Sequence, residues 1–100
     1  MTRPQASIAI QVLPFSAGGD EMLRIVDKVI NYIKSTGLKS VTGPFETVIE
    51  GEFDKLMDIA KECQLICIRE GAENLLTYIK IAYNPNGGTW SIDEKISKHI

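Results

Sequence analysis

Few residues of this chain are equipped for chemistry, and their spacing argues against most reactions. The two cysteines, Cys63 and Cys67, stand one helical turn apart in a helical pattern. An i,i+4 pair within one helix rarely meets disulfide geometry. A structural zinc site needs a fuller ligand set, and the sole histidine, His99, lies beside the C-terminus. Both cysteines are therefore expected to be small apolar core residues, with no metal and no cofactor. A Ser-His-Asp or Cys-His arrangement is absent for the same reason. Gly18-Gly19 and Gly87-Gly88 lack the spacing of a phosphate loop and the Lys-Ser/Thr that would follow it. Paired carboxylates occur as Glu50 with Glu52 and as Asp54 with Asp58, the latter on the solvated side of a helix. No catalytic residue is assigned. The polar pair that stands out is Glu50 and Lys80, on strands either side of the first strand and about 9–10 Å apart by strand spacing. Two readings stay open for it: a structural ion pair, within one chain or across a subunit boundary, or two groups gripping a ligand.

The elements that must position these residues belong to one small domain spanning residues 1–100. Hydrophobic residues make up 44% and charged residues 24%, the composition of a folded globule rather than a disordered chain. With a net charge of −2 and scattered Lys and Arg, no nucleic-acid partner is expected. Tyr78 and Phe45 do not make an RNA-stacking sheet without the basic, aromatic-rich strand signature. No apolar run approaches the ~20 residues of a membrane span. The opening Met1-Thr2-Arg3-Pro4-Gln5 has no signal-like apolar region, so no membrane partner and a cytoplasmic location are expected.

Residues 7–13 alternate, with Ile8, Ile10 and Val12 on one face and Ser7, Ala9, Gln11 and Leu13 on the other. Pro14 ends this strand and a Gly-containing loop follows. Asp20 is expected to cap a helix whose stripe is Leu23, Val26, Ile30 and Ile33, reinforced by Met22, Ile25 and Val29. Gly37 closes it. Residues 38–42 and 45–50 read as a hairpin around Gly43-Pro44. A second helix runs from about Glu52 with an apolar face of Phe53, Leu56, Met57, Ala60, Cys63 and Cys67, and Gly71 ends it. Residues 75–83 form the last strand, with Thr77, Ile79 and Ile81 on its apolar side. The core thus occupies about residues 7–84, followed by an arm or short helix over 89–100.

The order βαββαβ indicates an α+β, ferredoxin-like sandwich: an antiparallel sheet ordered 4-1-3-2 with both helices on one face. The other face receives Ser7, Ala9, Gln11, Leu13, Glu46, Val48, Glu50, Leu76, Tyr78, Lys80 and Ala82. Leu13, Val48, Leu76 and Tyr78 would form an apolar patch there, suited to face-to-face self-association as a dimer or tetramer.

Ile10-Gln11-Val12-Leu13-Pro14, then Thr47-Val48-Ile49-Glu50-Gly51 opening a helix, then Tyr78-Ile79-Lys80-Ile81, resemble the small YkoF-related thiamine-binding proteins. The likeness covers residues 7–84, and its sharpest piece is the T-V-I-E-G segment. It implies a ferredoxin-like fold, dimers or tetramers through the sheets, and binding of thiamine or its hydroxymethylpyrimidine part without catalysis. Carried over by motif, Gln11, Thr47 and Glu50 are binding positions. A cationic heteroaromatic ligand would also use an aromatic face, Tyr78 or Phe15, and a carboxylate, Glu50 or Glu46. Lys80 completes the candidate set. On a regular strand Thr47 points toward the helices and Gln11 toward the free face, so one pocket holds both only at a strand end or a bulge. The expected site is accordingly the end of the first strand near Glu46 and Thr47, with Leu76 to Tyr78 alongside and the loop 15–19 folding over. The competing reading is a structural or regulatory oligomer without a small ligand.

Overall fold

Alternation along the first strand divides the molecule into two sides. In the computed structural model, which describes residues 3–15 and 18–99 (the backbone alone at Lys98), β1 (Ala6–Phe15) buries Ala6, Ile8, Ile10 and Val12. It is followed by α1 (Gly19–Ser35), β2 (Ser40–Thr42), β3 (Thr47–Gly51), α2 (Phe53–Arg69), β4 (Asn74–Tyr83) and a short α3 (Ile92–Ile96). The four antiparallel strands lie in the order β2-β3-β1-β4, which is the expected 4-1-3-2 read from the other edge. Both long helices pack on the side of Ile8, Ile10 and Ile49 and close the core there.

In α1 the buried line is Ile25, Val29 and Ile33, at i,i+4 spacing. Leu23, expected in this stripe, is 64% exposed. Two positions before Ile25 it sits about 200° around the helix axis from that line. Nor is Asp20 the cap: Gly18 holds that position without a side-chain bond, and its carbonyl accepts from Met22 N–H. Asp20 and Glu21 lie inside the first turn, where a carboxylate favours the positive end of the helix dipole. At the far end the Thr36 hydroxyl donates to the Ile33 carbonyl at 2.7 Å, and Gly37 takes the left-handed φ of 77° that stops the helix.

In α2 the buried residues are Leu56, Ile59, Ala60, Cys63 and Cys67. Ile59 joins the face assigned to this helix from its spacing. Burial pushes the Cys63 thiol up to about 12, with Cys67 adding to the shift, so neither metal ligation nor thiolate chemistry is favoured at neutral pH. Among the described residues no cluster of His, Cys, Asp and Glu could hold a metal ion, and no helix is long and apolar enough to cross a membrane.

β4 is an edge strand, and the helices cover it incompletely. Ile79 packs against the core and Tyr83 stacks on Phe53 with ring centroids 4.2 Å apart. Ile81, expected in the core, keeps 51% of its surface because it lies on this outer strand. Thr77, opposite Val12, buries a hydroxyl that has no hydrogen-bond partner among the described residues. An orphaned hydroxyl costs about 1–3 kcal/mol, so Thr77→Val should leave the melting temperature unchanged or raise it. A clear destabilisation in calorimetry would mean that the hydroxyl is bonded.

Candidate binding site at the open edge of β1

The register creates a gap. β1 pairs with β4 along its whole length, from Ala6↔Tyr83 to Phe15↔Asn74. It pairs with β3 only from Ala6↔Gly51 to Ile10↔Thr47. Beyond Ile10, one edge of β1 has no strand beside it among the described residues. β3 begins at Thr47, two residues later than its apolar pattern suggests, because residues 43–46 form the turn, closed by Gly43 N–H donating to the Glu46 carbonyl at 2.9 Å. A cavity of about 210 Å³ lies between the free edge, the hairpin turn and the α1 side chains Val26, Val29, Ile30 and Ile33.

Gln11, Glu46 and Thr47 all border this cavity. Thr47 and Gln11 both line it, because β3 begins beside Ile10 and the opening reaches past that edge of the sheet. Thr47 is buried, and its hydroxyl donates to that of Thr42 at 3.3 Å. That is long for an O–H···O bond, which leaves both hydroxyls with unused capacity. Thr42 and Phe45 are lining residues that pattern reading alone did not single out. The Gly43-Pro44 turn held the signal, since closing the hairpin there sets Thr42 opposite Thr47.

The remaining candidates lie elsewhere. Tyr78 is level with Gln11 but stands 56% exposed on the open face, and Phe15 ends β1 opposite Asn74. The expected cover from the loop 15–19 includes Ser16 and Ala17, which lie outside the described residues. Glu50 and Lys80 are not partners. Glu50 is level with Ser7 and Ala82, whereas Lys80 is level with Ala9 and Val48, one same-face position along the strands. Lys80 Nζ instead pairs with Glu46 at 3.0 Å.

Glu50 serves the other end of the sheet. Its carboxylate accepts from the Ile92 backbone N–H at 2.8 Å and so holds the start of α3 against the open face. Ser91 and Glu94 form a reciprocal capping box. Arg3 grips Glu94 through two nitrogens, the shortest contact being 2.9 Å. That grip, with the backbone bond from Ser91, holds the Glu94 carboxyl down at about 2. Ser7, expected on an uncovered face, is only 4% exposed beneath this segment. Between α3 and the strands lies a second cavity of about 360 Å³, mainly apolar, bordered by Val41, Val48, Ile92, Ile96, Lys80 and again Glu46.

Residues 8–100 match the family described as thiamine-binding protein. The chain belongs to that family. A UPF0045 protein of Clostridium perfringens is 44% identical over 93 residues, 93% of this chain and 95% of that one. A Bacillus cereus structure, described as a domain of unknown function, DUF77, is similar at a TM-score of 0.87 and 37% identity, covering 97% of this chain and 91% of its own. A Thermotoga maritima structure, named as a candidate thiamine biosynthesis/salvage protein, is similar at a TM-score of 0.82 and 32% identity, covering 97% and 100%.

In this member of the thiamine-binding protein family, α3 is tied down by two carboxylates, and each tie can be cut separately. Glu50→Ala should speed amide exchange of Ile92–Ile96 roughly tenfold, since a charge-assisted bond contributes about 1.5 kcal/mol. Unchanged exchange would mean that Glu50 does not hold α3. The Glu94 carboxyl is depressed in the folded state, so its contribution is complete above about pH 4.5 and fades as pH falls toward 2. Trp90 fluorescence, reporting from beside the capping box, should change over that window.

Proposed function

We propose that this chain is a non-catalytic binding protein for thiamine or its hydroxymethylpyrimidine moiety, working as a homo-oligomer. The observation that carries the reading is the edge cavity. An unpaired strand edge offers free backbone N–H and C=O groups. These match the donors and acceptors along the rim of an aminopyrimidine ring. The Thr42 and Thr47 hydroxyls and Gln11 add side-chain partners, and the α1 side chains supply an apolar wall for the ring. At about 210 Å³ the cavity lies below the ~300 Å³ where drug-sized pockets begin, which suits a single ring. The thiazolium part of thiamine would then extend to the mouth, where Glu46 offers a carboxylate and Phe45, 78% exposed, an aromatic face for the cation. Membership of the thiamine-binding protein family supports the same reading.

The open face of the sheet is assigned to self-association. Leu76, Tyr78, Phe15 and Val41 are all exposed apolar groups, and a second sheet stacked ~10 Å away would cover them. Phe15 and Tyr78 belong to this contact in the proposal, and Glu50 to the support of α3.

Calorimetric titration with thiamine and with hydroxymethylpyrimidine should detect stoichiometric binding of both. Thr47→Val keeps the shape and removes the hydroxyl, so both affinities should fall by about 1 kcal/mol, roughly fivefold. No binding of either compound would favour a structural or regulatory oligomer, and undiminished binding by Thr47→Val would take Thr47 out of the site. For the assembly, Val48→Lys would bury an unpaired charge between stacked sheets and shift the protein toward monomer in sedimentation. A wild-type monomer at micromolar concentration would contradict the sheet-face contact.

A further inference from the structure

Glu46 is the charged residue among those bordering the edge cavity, and it borders the open-face cavity as well. Its carboxylate is engaged on the open face, where Lys80 Nζ lies 3.0 and 3.1 Å from its two oxygens. Lys80 is 73% exposed, so it loses little by returning to water. An exposed pair of this kind contributes little net stability. A cation arriving at the mouth of the edge cavity therefore meets a carboxylate that is occupied but weakly held. From this arrangement, and resting on the ligand reading above, we infer that Lys80 is an internal competitor for Glu46 that sets the selectivity of the site between cationic and neutral ligands.

The positively charged ligand and the lysine ammonium exchange places on one carboxylate. No proton moves and no covalent bond changes. A neutral aminopyrimidine needs only the strand edge and the threonine hydroxyls, so it binds with the Lys80–Glu46 pair intact. Removal of a basic residue should then strengthen binding of a cation and leave the neutral fragment unaffected. Lys80 is a specificity-determining residue in this account, acting through Glu46 rather than by touching the ligand.

The test compares thiamine and hydroxymethylpyrimidine in calorimetric titrations of the wild type, Lys80→Met, Lys80→Arg and Lys95→Met. Lys80→Met should bind thiamine roughly two- to fivefold more tightly, the range set by an exposed ion pair, with hydroxymethylpyrimidine unchanged. Lys80→Arg keeps the competitor and should not gain affinity. Lys95 borders the open-face cavity too, and Glu46 is not its ion-pair partner, so Lys95→Met controls for the general change in charge and should alter thiamine affinity by less than Lys80→Met. Equal gains from both Met variants would replace competition with a diffuse field effect and overturn the inference. So would weaker or unchanged thiamine binding by Lys80→Met in a protein that binds both compounds. If the wild type bound neither compound, the ligand reading itself would fall and the inference with it.

Discussion

β1 is held along its full length on one side and only along half of it on the other, and much of the architecture follows from that asymmetry. The β2–β3 hairpin closes through Gly43 and Glu46 before it can accompany β1 to its end. The backbone beyond Ile10 is left with an unpaired edge inside an otherwise ordinary sandwich. Natural sheets usually cover or charge such an edge. Here it is walled by α1 side chains and the hairpin turn, which makes it a recess rather than an aggregation hazard. The same register keeps Glu50 at the opposite end of β3, where it meets α3 instead of the recess.

The sheet therefore carries separate tasks on its surfaces. The helix side builds the core from Ile8, Ile10, Ile49 and the buried lines of α1 and α2. On the open side, α3 caps the Ser7 end, and the apolar residues Leu76 and Tyr78 stay exposed. Glu46 connects the two sides because it sits in the turn, outside the regular alternation that assigns every other strand residue to one face.

Much of this was legible in residue pattern. Period-two alternation from Ser7 to Leu13 assigns the faces of β1 correctly, and the βαββαβ order with short connections restricts the sheet to its observed topology. Gln11 and Thr47 are candidates through the family resemblance, with Glu46 beside them at the strand end, and all three border one cavity. Other features depend on distances that no local pattern contains. The bond from Glu50 to Ile92 spans most of the second half of the chain, so strand pattern alone sets Glu50 against Lys80 instead. Leu23 was misassigned because a broad apolar stripe does not say which of its edges faces the sheet. The tail is a different case. Ser91-Ile92-Asp93-Glu94 carries a capping-box spacing, so the helical start of α3 was readable in the sequence.

The central claim is that a pyrimidine ring sits against the unpaired edge of β1. Backbone amide shifts in a titration of isotopically labelled protein with hydroxymethylpyrimidine test it directly. The account predicts the largest changes at Gln11, Val12, Thr42 and Thr47, with Ser7, Glu50 and Ile92 undisturbed. Changes concentrated at Ser7, Val48 and Ile92–Ile96 would place the ligand in the open-face cavity and contradict it.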